Sequence, residues 1–351
     1  MAKLSFGVGV PLRDPVDEVC ALASTAEELG YQSVWANDDR LGRDVFSVLA
    51  TIARSTRHVS LGPGVTNPYS RHPALIATAL ATLDELSGGR AVLGLGAGGT
   101  NHRALAIERR LPHVALFEAI TVIRKLLTGS EVTLNGRVIQ TCQATLDFVP
   151  WRASVPIYVG ARGPKILEVA GELADGVIIG NLASIEGWAY LLSCVTQGAR
   201  VAGRDPREIK LVAWFYTCVA DDAEAARRAV RPMVATSLIT SRPILPRLGI
   251  TMPRPFVEIM EAQRWSLEAE CVELAAQEIP DEIVSCFSLA GTSQDCRRQL
   301  HGFLTAFPQI SQVVIVPAAS EEQQRTDVVR RFMREVAHPL VDDIVYSAEM
   351  G

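Results

Sequence analysis

Short apolar runs alternate with longer stretches of helical period along the chain. Runs rich in Val, Ile, Leu and Gly predict strands at residues 4–10, 33–36, 59–65, 91–96, 156–160, 176–180, 210–218 and 312–316. Between them, apolar residues recur at helical spacing, as with Val16, Val19, Ala23 and Ala26 in the segment 15–29. The segment 73–86 opens on Pro73, whose missing N–H costs nothing in a first turn. Further helices are predicted at 45–54, 116–127, 164–173, 185–201, 223–230 and 322–336. Strand and helix in repeated succession predict an α/β fold, the (β/α)8 TIM barrel, with 1–351 as a single domain and its active site where strands end. An open doubly wound sheet is the alternative.

Two segments depart from the alternation. Residues 131–141 carry Asn135-Gly136 between two short runs, which predicts a β-hairpin insertion. Residues 232–277 hold five prolines and follow the seventh strand, either as a lid or as a surface excursion.

Charge and composition narrow the partners. The 351 residues include 34 basic and 39 acidic side chains, a net charge of −5 with no basic block, so no nucleic-acid partner is expected. The longest nearly apolar stretch, 211–220, is half of the roughly 20 residues a bilayer span requires. The N-terminus lacks the order of a signal peptide, and seven scattered cysteines form no CxxC pair; both predict a cytoplasmic protein with reduced thiols. The six histidines show no metal-ligand spacing, so no metal is expected.

Candidate chemistry sits at the strand ends. Asn37-Asp38-Asp39-Arg40 either meets a ligand or caps the next helix as an Asx turn. Gly62-Pro63-Gly64-Val65-Thr66-Asn67 brings two polar side chains to a strand end, or is a tight turn. Four glycines between Gly94 and Gly99 admit a ligand or an adjacent backbone, and His102 follows them. Gly160-Ala161-Arg162-Gly163 opens a helix at Pro164, where backbone N–H groups and a guanidinium make an anion seat; a plain glycine turn is the alternative. The sixth strand ends in Gly180-Asn181, again small and polar.

The run LGPGVTNPYSRHPALIATALATLDELSGGRAVLGLGAG at 61–98 resembles the deazaflavin (coenzyme F420)-dependent branch of the bacterial-luciferase-like superfamily. Segments 33–53 and 156–180 resemble it too, and the pattern is nearest that of the methylenetetrahydromethanopterin reductases. The likeness is strong to residue 180 and weak through 236–277. It implies a hydride transfer between the deazaflavin C5 and a small organic substrate. It also implies a non-prolyl cis peptide at Gly64-Val65 on one face of the ring, with Thr66 beside it and Asp38 near the ring. Gly98 would border the cofactor's side chain, Gly160, Ala161, Arg162 and Gly163 its phosphate, and Gly180 and Asn181 would complete the cofactor set. A homodimer or higher homo-oligomer through the second and third helices is expected by the same likeness.

Three proton-transfer positions differ from the family pattern: Asp39 replaces a histidine, Gly99 an acid, and Gly9 a glutamate. General acid catalysis contributes about 100- to 10,000-fold, so another donor or another substrate is required. Asp38, Asp39 and His102 are the candidates. The alternatives are an FMN-dependent monooxygenase using reduced flavin and O2, and a cofactor-binding protein without turnover.

Overall fold

The structure, a computed structural model of the chain, describes residues 4–38, 41–98, 104–320 and 323–341. The chain runs through β1 (Ser5–Val10), α1 (Val16–Glu28), β2 (Ser33–Ala36), α2 (Val45–Ser55), β3 (Ser60–Pro63), α3 (Pro73–Ser87), β4 (Leu93–Gly96) and α4 (Pro112–Leu127). Then come β5 (Val132–Asn135), β6 (Gln140–Ala144), β7 (Ile157–Gly160), α5 (Pro164–Leu173), β8 (Gly176–Ile179), α6 (Ile185–Val201), β9 (Lys210–Val219) and α7 (Ala223–Ser241). The last part holds α8 (Arg254–Ala262), α9 (Ala269–Ala276), α10 (Asp281–Ser285), β10 (Ser288–Gly291), α11 (Ser293–Ala306), β11 (Ile310–Pro317) and α12 (Arg325–Arg331).

Eight strands hydrogen-bond in the order β3-β2-β1-β11-β9-β8-β7-β4, with β10 added beside β9. Single parallel bridges from Leu61 to Ala91 and from Thr66 to Leu95 join the two ends of that order. The expected (β/α)8 barrel is therefore present, closed between β3 and β4 by isolated bridges instead of a continuous ladder. All eight predicted strands are found. Their interior residues are apolar on both faces, as with Val34, Leu61, Leu93, Ile157 and Val177, each fully buried.

The chain divides into two compact units, one of Gly9–Ile178 with Leu191–Leu211, the other of Met1–Val8, Ile179–Tyr190 and Val212–Gly351. In the first, α3 carries Asp84, a buried carboxylate that accepts Arg152 Nε at 2.9 Å and the Ala91 N–H at 3.2 Å. One side chain thus ties the end of α3 to the start of β4 and to the segment entering β7. The predicted hairpin is β5 with β6, paired from Val132↔Ala144 to Asn135↔Gln140, and so reaches three residues beyond the expected 131–141. It is held to α4 by Glu118, whose buried carboxylate accepts the N–H groups of Arg137, Val138 and Ile139 at 2.7, 3.0 and 2.8 Å.

The second unit is organised by aromatic packing. Trp188 meets Phe303 edge-on at 5.3 Å, Phe215 meets the same ring at 5.1 Å, and Phe6 meets Phe332 at 6.0 Å. Here the structure departs from the sequence expectation in two ways. Helix α7 passes through Pro232 to Ser241, so the segment expected to be an insertion from 232 begins as helix. Proline removes one helical N–H, but Val230, Val234, Ala235 and Leu238 continue one buried stripe across it, and that burial sustains the helix. The remainder of the segment forms α8 and α9, and beyond it β10 and α11 were not anticipated. Among the described residues, no helix is long and apolar enough to cross a membrane, and no group of His, Cys, Asp or Glu could hold a metal ion.

Candidate active site

Within the unit of Gly9–Ile178, the expected site residues follow the carboxyl ends of four parallel strands. Register sets Ala36 beside Pro63 and Gly96 beside Gly160, so the loops after β2, β3, β4 and β7 leave at one level. The chain after β3 makes the decisive local structure. Gly64 donates its N–H to the Ala36 carbonyl at 2.7 Å on one side, and Thr66 donates to the Gly94 carbonyl at 3.0 Å on the other. Val65 lies between these two anchors, and the Gly64-Val65 peptide is cis, as the likeness implied.

The glycines of β4 and β7 make room for that residue. A Cβ on Gly96 would fall 2.6 Å from Cγ2 of Val65, and one on Gly160 would fall 2.9 Å from its Cγ1. Both distances are below any ordinary carbon contact, so the valine side chain occupies the volume that side chains at 96 and 160 would fill. Gly160 thus has a packing duty that its place beside an anion seat did not suggest. Gly163, by contrast, faces open space within 4 Å.

Asp38 is brought to the same place. The Thr66 hydroxyl, fully buried, donates to its Oδ2 at 2.6 Å, fixing the carboxylate at the end of β2. The turn that follows is closed by Asn67, whose Oδ1 accepts the N–H groups of Tyr69 and Ser70 at 3.1 and 3.0 Å. The Tyr69 hydroxyl donates to the Arg110 carbonyl at 2.7 Å, and burial pushes its pKa up to about 12 against the opposing field of Arg109. Gly98 lies in the left-handed region at φ +65°, and its carbonyl accepts Arg109 Nη1 at 3.1 Å. Beyond β7, Ala161 donates to the Ile178 carbonyl at 3.2 Å. Helix α5 begins at Gly163 with no side-chain cap; Pro164 has no N–H and Ile166 donates to the Gly163 carbonyl at 3.1 Å, which leaves the N–H of Lys165 for an anion near Arg162.

Gly180 and Asn181 belong to the other unit, at the end of β8. Asn181 adopts φ +52°, and its buried Oδ1 has no hydrogen-bond partner among the described residues. Asp39 and His102, two of the three proton-transfer candidates, lie outside the described residues. Arg109 was not among the sequence candidates, and Asn37 was named only as part of the run after the second strand. Asn37 Oδ1 is buried next to Asp38 without a partner among the described residues, and a polar side chain directly before a strand-end carboxylate was the available clue.

The family model of the luciferase-like monooxygenases matches residues 4–307. The chain belongs to this family. Among relatives in the luciferase-like family, a 5,10-methylenetetrahydromethanopterin reductase of Methanolobus tindarius is 35% identical over 305 residues, covering 86% of this chain and 91% of its own. An F420-dependent hydroxymycolic acid dehydrogenase of Mycobacterium tuberculosis is 37% identical over 241 residues, covering 64% of this chain and 66% of its own. Among solved structures, the coenzyme F420-dependent tetrahydromethanopterin reductase of Methanopyrus kandleri superposes with a TM-score of 0.84. It is 27% identical and covers 97% of this chain and 100% of its own.

Proposed function

We propose that the protein is an F420-dependent oxidoreductase that moves a hydride between the deazaflavin and a small organic substrate. The observation that carries this reading is the frame after β3, where Val65 is seated by glycines and Asp38 is pinned by Thr66. The family name mentions a monooxygenase, but relatives 30–36% identical to the chain are reductases and dehydrogenases, some of them named for F420, which favours F420 over FMN.

Two features fit the cofactor. The orphaned Asn37 Oδ1 needs a donor, and the pyrimidine ring of a deazaflavin carries N–H. The uncapped start of α5 beside Arg162 suits a phosphate. When bound, F420 supplies hydride transfer at its C5. The chain's own part is to bind, orient and exclude water. In this reading Gly64, Val65 and Thr66 hold the ring, Gly98 borders the side chain, and Gly160, Ala161, Arg162 and Gly163 take the phosphate. Gly180 and Asn181 complete the set. Asp38, fixed by Thr66, is the described candidate for moving the proton, alongside Asp39 and His102.

Fluorescence titration with F420 tests the reading. The wild-type chain is expected to bind it, and Arg162→Ala to weaken binding about 10- to 100-fold, the value of one charge-assisted hydrogen bond of about 1.5–3 kcal/mol. Absence of saturable F420 binding to the wild-type chain would overturn it.

We also infer a homodimer through α2 and α3. Leu75, Thr78, Thr82 and Leu86 form an exposed, uncharged stripe along α3, with the two leucines 59% and 44% exposed. Sedimentation at micromolar concentration is expected to give twice the chain mass of 38.0 kDa, and a charge introduced by Leu75→Glu to shift it to one chain. A single-chain mass for the wild type refutes the pairing.

A further inference from the structure

We propose that Ser241, Arg242, Gln263 and Trp265 form a binding site for a small carboxylate ligand. The guanidinium of Arg242, directly after α7, lies over the indole of Trp265 with Cζ 3.7 Å from the ring centroid. That contact uses one face of the guanidinium and leaves its edge of N–H donors. No ion pair joins Arg242 to a carboxylate among the described residues, although the side chain is half-buried. A planar fork of donors held rigid on an aromatic ring matches the two oxygens of a carboxylate.

Its neighbours in the chain point to a ligand independently. Ser241 is only 3% exposed, and its hydroxyl has no hydrogen-bond partner among the described residues. The amide oxygen of Gln263, two residues before Trp265, is likewise buried and without a partner among the described residues. Native proteins satisfy such groups because leaving them unpaired is costly, so two orphans flanking an arginine without a counter-ion are best explained by a molecule that satisfies all three.

The backbone that presents the indole is also unusual. Arg264 and Trp265 both adopt left-handed conformations, at φ +52° and +57°, which side chains of this size rarely take. The turn is held by Arg264 N–H on the Glu261 carbonyl at 3.0 Å and Trp265 N–H on the Met260 carbonyl at 2.7 Å. Consecutive left-handed residues with large side chains collect where function demands the geometry. The chemistry selects a ligand with a carboxylate for Arg242 and an adjacent N–H or O–H donor for the Gln263 oxygen. The Ser241 hydroxyl can give or take a hydrogen bond with either.

The experiment uses the full chain and hippurate as probe, since hippurate carries a carboxylate, a neighbouring amide N–H and an aromatic ring. Isothermal titration is expected to show saturable hippurate binding, weakened at least tenfold by Arg242→Ala and about threefold by Arg242→Lys, which keeps the charge and loses the fork. Ser241→Ala is expected to weaken hippurate binding while leaving the melting temperature equal or higher, because it removes a hydroxyl that the protein alone does not satisfy. F420 affinity, measured by cofactor fluorescence in the same variants, is expected to stay within twofold of wild type.

Lack of hippurate binding to the wild-type chain overturns the proposal, as does undiminished binding to Arg242→Ala. A parallel loss of F420 affinity would give the arginine to the cofactor's own acidic groups and equally overturn it. So would inorganic phosphate binding at these residues in place of hippurate. F420 titration of the wild-type chain separates failure of this site from failure of the oxidoreductase reading.

Discussion

Asp84→Ala is expected to destabilise the protein by about 3–5 kcal/mol, the cost of removing one partner from a buried ion pair. Asp84 is 1% exposed, and its substitution strands three N–H groups at once: Arg152 Nε and Nη2, and the backbone N–H of Ala91. Arg152 is 33% exposed, so water reaches it in part, which places the effect toward the lower end of the range. Unfolding entropy of about 2.1 cal/mol/K per residue over 351 residues turns that free energy into a fall of roughly 4–7 °C in melting temperature. Asp84→Asn keeps an acceptor for Ala91 and is expected to fall between wild type and alanine. Removing both partners leaves no uncompensated charge, so Asp84→Ala with Arg152→Ala is expected to cost less than the sum of the two changes. Thermal melting of these variants, with Arg152→Ala alone as the fourth, decides it. A shift below about 1 °C for Asp84→Ala would show that the pair does not hold β4 in place.

The second large effect lies in the contact between Val65 and Gly160. Gly160→Ala places its new methyl 2.9 Å from Cγ1 and 3.4 Å from Cγ2 of Val65, and no other atom stands closer than the valine Cβ at 3.7 Å. Overpacking of this kind costs about 1–3 kcal/mol. Val65→Ala deletes both offending carbons, so the two substitutions are expected to compensate by about 1–2 kcal/mol in a double-mutant cycle measured by denaturant unfolding. Gly96 is a poorer site for the experiment, since its added Cβ would also lie 3.1 Å from the Gly160 carbonyl, which truncating the valine does not move. Strictly additive costs would mean that Val65 does not fill the space over Gly160.

That contact also marks the boundary of what the sequence discloses. The eight barrel strands are legible because strands buried on both faces are uninterrupted apolar runs, and 33–36 and 176–179 stand out between polar neighbours. The turn chemistry of Asn135-Gly136 and the Pro164 helix start were equally local, and both were readable. Three features were not. The four residues of β10 are too few for a periodic pattern, although the Thr292–Asp295 capping box that starts α11 was a usable clue. The continuation of α7 through Pro232 depends on tertiary burial, which is invisible along the chain. The packing of Val65, from the chain after β3, over the glycines at 96 and 160 left no mark along the sequence. The Thr66 bond to Asp38 spans 28 positions and the Arg242–Trp265 contact joins α7 to the turn after α8. Spacing rules built on neighbouring positions do not find such pairs.

The pairing of β1 with β11 sets a timetable for synthesis. Ser5 takes its place opposite Gln312, 307 positions later, and their side chains share a hydrogen bond. At about 5–20 residues per second, a ribosome needs roughly 15–60 s between making the first strand and making its partner. During that interval Phe6 and Val8, both buried in the finished protein, have no β11 to lie against. The strand is thus made well before its partner, and its apolar residues must stay clear of non-native contacts until β11 arrives.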